Sequence, residues 1–174
     1  MDILVSADGW LAWRGGRVRC ALGRSGVRLD KREGDGATPA GTFPLRRVLY
    51  RPDRLASPPA TALPLAPIHE DDGWCDAPGD PAYNRPVRLP YPGRHERLWR
   101  DDGLYDLLAV IGYNDAPVEA DRGSAIFLHV AAADFAPTAG CVALERTALI
   151  ALIAAAAPGD RLIIRSAPDA PCPA

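Results

Sequence analysis

The chain has 174 residues, a formal net charge of −2, and 48% hydrophobic and 24% charged residues. This length and composition are ordinary for one globular domain, which we place at residues 1–174. A nearly balanced charge gives no long-range reason to expect nucleic acid or an anionic membrane as a partner. No apolar run approaches the roughly 20 residues of a membrane helix, so no membrane span is expected.

Eighteen prolines and 16 glycines argue against a helical bundle and favour short strands joined by turns. The first elements are a β-hairpin turning at Gly15-Gly16, a loop over Gly34 to Gly41 and a strand over Thr42 to Tyr50. From Arg51 to Gly103 the chain is rich in proline and has little periodicity. We interpret this stretch as an insertion that forms one wall of a cleft.

Regular patterns return in the last third of the chain. Two continuous apolar runs, Leu107 to Tyr113 and Ala125 to Val130, predict central strands covered on both faces. Apolar residues at i, i+3, i+4 and i+7 predict a helix over Glu145 to Ala157, ended by Pro158-Gly159. Arg161 to Arg165 is predicted as a last strand, and Pro168 to Ala174 as a frayed tail. The expected fold class is mainly β, with one or two helices on mixed, sandwich-like sheets.

One histidine stands apart from the other two. His129 lies at the end of an apolar strand, where an imidazole without a hydrogen-bond partner costs roughly 1–3 kcal/mol. A core histidine satisfied by a carbonyl explains it as well as a catalytic one. His69 and His95 fall in the irregular middle segment, where solvated or loop-packing roles are expected.

Four cysteines, Cys20, Cys75, Cys141 and Cys172, have wide spacing with no CxxC pair, so neither a metal site nor a disulfide scaffold is indicated. Whether Cys20 and Cys75 pair stays open. No metal or organic cofactor is implied by any motif.

Cys141 follows Gly140 and precedes the predicted helix. We expect this cysteine to be exposed on a tight turn, where helix N–H groups can stabilise a thiolate. A nearby neutral His129 can take the thiol proton, and the N–H groups of Gly140 and Cys141 are candidates for an oxyanion hole. The alternative is a loop cysteine without a role.

The motif from His129 to Gly140-Cys141-Val142-Ala143-Leu144 resembles the catalytic signature of the L,D-transpeptidase (YkuD) family. Upstream, Thr38-Pro39-Ala40-Gly41-Thr42-Phe43 resembles the family's Thr-Pro-x-Gly-x-Phe segment. The family's usual histidine two residues before the cysteine is Ala139 here, so backbone donors or a group elsewhere must assist the oxyanion or substrate. In the family an adjacent oxygen orients the catalytic histidine, and here only a backbone carbonyl next to Val130 can do so.

The resemblance implies a cysteine acyl-transfer enzyme acting on peptidoglycan stem peptides in bacterial cell walls. Cys141 would attack the amide between an L-centre and a D-residue, D-alanine would leave, and an amine or water would resolve the acyl-enzyme. Arg85, Arg100 and Arg122 are candidates for the stem-peptide carboxylates. Carbapenem β-lactams are expected to acylate Cys141.

Two alternatives remain open: a cytoplasmic L,D-carboxypeptidase that hydrolyses recycled muropeptides, and a non-catalytic peptidoglycan-binding domain. The start of the sequence lacks the basic and apolar stretches of a secretion signal. We therefore expect a cytoplasmic location, or the cell envelope (periplasm) if a leader precedes this sequence.

Overall fold

A computed structural model of the protein describes residues 1–166. Its elements in chain order are one helix and 14 strands: β1 Asp2–Ser6, β2 Trp10–Trp13, β3 Gly16–Ala21, β4 Val27–Arg28, β5 Thr38–Pro39, β6 Gly41–Tyr50, β7 Leu65–Pro67, β8 Asp72–Cys75, β9 Pro86–Arg88, β10 His95–Arg97, β11 Leu107–Ile111, β12 Phe127–Val130, β13 Val142–Leu144, α1 Arg146–Ala155 and β14 Arg161–Arg165. The predicted tail from Pro168, with Cys172, lies outside the described residues.

Nine strands form one mixed sheet in the order β11-β12-β13-β3-β2-β1-β14-β6-β7. Because β11 also pairs with β6, the sheet closes on itself like a barrel. The pairs β1–β14, β12–β13 and β6–β7 are parallel, and the other pairs of this sheet are antiparallel. The predicted mainly β, mixed-sheet fold is confirmed. The closure of the sheet was not predicted.

The predicted N-terminal elements are present. Strands β2 and β3 form the antiparallel hairpin, and β6 covers the whole predicted strand from Thr42 to Tyr50. The expected loop over Gly34 to Gly41 is wrong for three residues, because Thr38 and Pro39 form β5, which pairs in parallel with β4, and Gly41 begins β6.

The two apolar runs are central strands, as predicted. Every residue of β11 and β12 is buried, which requires cover on both faces. Leu107 and Ala109 point to the main core with α1, whereas Leu108 and Val110 point to a second cluster under the insertion. These strands therefore form the partition between the main core and the insertion.

Helix α1 is shorter than its predicted range. The Glu145 carboxylate caps its N-terminus by accepting the Ala148 N–H at 3.1 Å, and the chain is extended at Ala156, before Pro158-Gly159. Leu149, Leu152 and Ile153 form its buried face. Within residues 1–166, no helix has the length and apolarity needed to cross a membrane.

The insertion has short elements of its own. Strands β8, β9 and β10 form a three-stranded antiparallel sheet. Asn84 ties it to the segment before β12, since its Oδ1 accepts the Trp74 indole N–H at 2.9 Å and the Ala125 N–H at 3.1 Å. Cys20 in β3 and Cys75 in β8 are free, so these two cysteines do not pair.

Candidate active site

The parallel pair β12–β13 brings the two predicted functional side chains to one face of the sheet. His129 lies opposite Ala143, and Cys141 is two residues before Ala143. Because side chains alternate along a strand with a period of two, Cys141 points to the same face as Ala143. His129 and Cys141 both line one cleft of about 530 Å³.

The cysteine is more enclosed than expected. Cys141 is only 7% exposed; its thiol donates to the Ala125 carbonyl at 3.2 Å, and its sulfur accepts the Phe127 N–H at 3.4 Å. The expectation of an exposed turn aided by helix N–H groups is therefore wrong. The chain enters β13 directly after Cys141, and Glu145 already occupies the N-terminus of α1.

The surroundings of the thiol favour its neutral form. Burial raises the pKa of Cys141 to about 12, and the negative charge of Glu96 acts in the same direction. The Phe127 N–H, the Tyr105 hydroxyl and the positive charge of Lys31 act against that rise in the pKa. The resting site therefore holds a thiol, which needs a base before it can attack.

The His129 ring is oriented by a backbone oxygen. Its Nδ1 lies 2.8 Å from the Val130 carbonyl oxygen, the adjacent backbone oxygen that the sequence suggested. A proton on Nδ1 donated to this carbonyl leaves Nε2 as the basic nitrogen. Burial lowers the pKa of His129 below its usual 6.5, so the neutral ring that can accept a proton is favoured.

The turn before the cysteine requires glycine. Gly140 has φ +144°, and a Cβ there would lie 2.8 Å from the Ala37 carbonyl oxygen and 3.0 Å from Ile126 Cδ1. The Gly140 N–H donates to Thr138 Oγ1 at 3.1 Å, so this candidate oxyanion donor is engaged in the resting site. The roles of Cys141, His129 and Gly140 in turnover stay predictions.

A tyrosine and a glutamate complete the wall around the imidazole, and the sequence analysis missed both. The Tyr105 ring meets the His129 ring edge to face, with centroids 5.2 Å apart, and its hydroxyl donates to Glu96 at 2.5 Å. Arg100 lies 3.5 Å from the same Glu96 oxygen. The only sequence signal for Tyr105 is its place just before the apolar run of β11.

The insertion supplies one wall of the cleft, as predicted, and this wall is charged. Its charged residues at the cleft are Asp76, Arg94, Glu96 and Arg100, and the segment before β5 adds Arg24, Lys31 and Glu33. Charges of both signs near the nucleophile suit a zwitterionic ligand better than a purely anionic one.

The other predicted side chains lie elsewhere. Of the three candidate arginines, only Arg100 lines the cleft. Arg85 donates to the Asp115 carbonyl, and Arg122 pairs with Glu119 at 3.7 Å. His69 is exposed, and His95 lies in β10 with its Nδ1 2.8 Å from the Gly93 carbonyl oxygen. Among residues 1–166 there is no group of three or more His, Cys, Asp or Glu side chains arranged to hold a metal.

A thiol and a neutral imidazole at one cleft, on neighbouring strands, are the parts of a cysteine acyl-transfer site. Residues 3–164 match the sequence model of YkuD, the L,D-transpeptidase catalytic domain, and the chain belongs to this family. Membership supports L,D-transpeptidase-type activity on peptidoglycan in general terms. Comparisons with curated proteins and with solved structures gave no match.

Proposed function

We propose that the protein is a cysteine acyltransferase that cleaves the amide between an L-centre and a terminal D-residue of peptidoglycan stem peptides. The observation that supports this most directly is the shared face of the β12–β13 pair, which presents Cys141 and His129 to one cleft. The family supplies the substrate class.

In the first half of the reaction, His129 Nε2 takes the thiol proton as the Cys141 sulfur bonds to the amide carbon. The carbonyl electron pair moves to oxygen and then returns as the carbon–nitrogen bond breaks. The imidazolium gives its proton to the departing amine, so D-alanine leaves and a thioester remains on Cys141. In the second half, neutral His129 takes a proton from the acceptor amine or water as that group attacks the thioester carbon. The carbon–sulfur bond then breaks, the acyl group leaves on the acceptor, and the imidazolium returns its proton to the Cys141 sulfur.

Because the thiol is enclosed and neutral, we favour a mechanism in which a general base removes its proton only when substrate is bound. The alternative is a thiolate that is already present in the free protein. Taking an isolated sulfur anion out of water is unfavourable, which is why burial raises the pKa of Cys141. Proton transfer to His129 becomes favourable only when the sulfur charge passes on to the attacked amide.

The test is incubation with a disaccharide tetrapeptide, with and without an amine acceptor, followed by mass spectrometry. Cross-linked or exchanged product supports transfer, and tripeptide with the acceptor present supports the carboxypeptidase alternative. Binding without any product supports the non-catalytic alternative and contradicts the proposal.

Matched variants assign the chemistry to the two residues. Cys141→Ala abolishes turnover and His129→Ala nearly does so, because each removes one partner of the proton transfer. Cys20→Ala and His95→Ala are the controls, since Cys20 and His95 lie outside the cleft and both variants should keep activity. Retained turnover in Cys141→Ala or His129→Ala contradicts the assignment.

Carbapenems provide an independent probe of the same nucleophile. A carbapenem is expected to add its mass to the protein at Cys141 alone, because the free cysteines Cys20 and Cys75 lie outside the cleft. Peptide mapping that finds the adduct on another cysteine would speak against this site.

A further inference from the structure

The chain contains a single lysine among 20 basic residues, and this lysine is buried at the candidate active site. Lys31 is 3% exposed and lines the same cleft as Cys141 and His129. Lysine is among the residues least often buried, because its ammonium loses hydration there. Its burial at this position therefore calls for an explanation.

Two glycines make room for the side chain of Lys31. A Cβ on Gly123 would lie 3.1 Å from Lys31 Cε, and a Cβ on Gly140 would lie 3.5 Å from the same atom. Both glycines have positive φ, +101° and +144°, which other residues rarely adopt. The alkyl chain of Lys31 thus lies beside the turn that carries Cys141.

The ammonium is held in place with one donor to spare. Its Nζ donates to Asp35 Oδ1 at 2.6 Å and to the Arg32 carbonyl at 2.8 Å. Asp35 is fixed in turn by the backbone N–H groups of Arg32 and Ala37, each at 2.8 Å. An ammonium has three N–H donors, so one remains for a group in the cleft.

Building on the proposed function, we propose that the Lys31 ammonium stabilises the negative charge that forms on the Cys141 sulfur and then on the carbonyl oxygen of the attacked amide. In this scheme Lys31 acts through its charge alone, and proton transfer stays with His129. A fixed positive charge in a water-poor site acts strongly on charge that develops nearby. The Ala139 side chain in the same turn has no donor to offer.

Besides Lys31, the charged groups at the cleft are Arg24, Glu33, Asp76, Arg94, Glu96 and Arg100. Arg94 bonds to Asp76 at 3.0 Å, and Arg100 pairs with Glu96 and Asp102 on the insertion wall. Glu96 opposes a charge on the sulfur, whereas Lys31 favours it. Tyr105 and His129 also line the cleft, and the favoured form of each is neutral.

The test is the substitution Lys31→Met, which keeps the chain length and removes the charge. The double variant Lys31→Met/Asp35→Asn also removes the carboxylate that the single variant leaves unpaired. Circular dichroism and thermal unfolding identify the variant that keeps the fold, and that variant is assayed. Lys31→Arg is a further variant. It keeps the positive charge but places a larger head group between Gly123 and Gly140.

Two readouts separate this inference from the proposed function. The first is the rate of Cys141 alkylation by iodoacetamide against pH, followed by peptide mass spectrometry, which needs no stem peptide. We expect loss of the charge to raise the pKa of Cys141 and to slow alkylation about tenfold at a fixed pH. The second is stem-peptide turnover, where kcat falls on the order of 10²-fold with KM nearly unchanged.

The outcomes are distinct. Slower alkylation in a protein that turns over no peptide supports Lys31 as the stabilising charge and removes the proposed function. Alkylation and kcat that match the wild type in a folded Lys31→Met or double variant overturn the inference, whatever the substrate is. A fall in kcat with an unchanged alkylation profile also overturns it, because the sulfur then does not sense Lys31.

Discussion

Replacing Gly140 by alanine tests how tightly the nucleophile turn is built. Two costs add at this position: a φ of +144° that side chains rarely adopt, and a Cβ only 2.8 Å from the Ala37 carbonyl oxygen. The backbone cost is about 1–3 kcal/mol, and relieving the contact adds about 1–3 kcal/mol. The expected loss of unfolding free energy is therefore about 2–6 kcal/mol.

Gly26→Ala is the matched control. Gly26 also has a positive φ, +76°, but a Cβ there would meet nothing within 4 Å. It carries the backbone cost alone, about 1 kcal/mol in this left-handed region. In a domain of this size 1 kcal/mol shifts Tm by about 2–4 °C, so we expect a drop of about 3 °C for Gly26→Ala and about two to six times that drop for Gly140→Ala.

The assay is thermal unfolding followed by circular dichroism, with stem-peptide turnover measured below the transition. Gly140→Ala should also lose most turnover, since relief of the contact moves the backbone beside Cys141, whereas Gly26→Ala should keep it. Equal Tm shifts in the two variants refute the steric argument, and full turnover in Gly140→Ala refutes the link between this turn and the nucleophile.

Three further predictions concern the charges and polar groups around the site. Because the pKa of Cys141 is raised and that of His129 is lowered, alkylation of the free protein should keep rising above pH 9, and the acid limb of turnover should lie below pH 6.5. A plateau in alkylation at neutral pH indicates a stored thiolate instead. Glu96→Gln removes a negative charge that disfavours the thiolate, so alkylation at fixed pH should become faster, opposite to Lys31→Met; an unchanged rate contradicts the charge assignment. Asn84→Ala leaves a buried indole N–H and a buried backbone N–H without acceptors, so denaturant unfolding should show a loss of about 2–4 kcal/mol. A loss under 1 kcal/mol shows that Asn84 does not anchor the insertion.

Local patterns predicted the longer strands and the helix, but neither the short strands nor how the elements assemble. The apolar runs of β11 and β12 and the helical spacing around Leu149 encode burial directly, so their positions followed from the sequence. Closure of the sheet depends on β11 pairing with β6, more than 50 residues earlier in the chain, and periodicity carries no information on partners. The burial of Cys141 was missed for a related reason, since it depends on β13 pairing beside β12.

In the candidate site, too, residues with a local signal were predicted and residues placed by the tertiary structure were not. His129 and Cys141 stood out because a polar group in an apolar strand and a cysteine after glycine are unusual locally. Glu96 belongs to the irregular segment and Tyr105 follows it closely. Only the tertiary structure brings them to the imidazole. Lys31 was conspicuous as the single lysine, but its contact with the Gly140 turn has no local signature.

The eleven residues between β12 and β13 connect two strands that run in the same direction and are hydrogen-bonded neighbours. Pairing of β12 with β13 and the turn from Thr138 to Cys141 set where the imidazole and the thiol lie, so the part of the connecting segment before Thr138 can change without moving either. Ala132, Ala136 and Pro137 from this segment form part of the cleft rim. Substitutions in this rim would therefore change the lining of the cleft while His129 and Cys141 keep their positions.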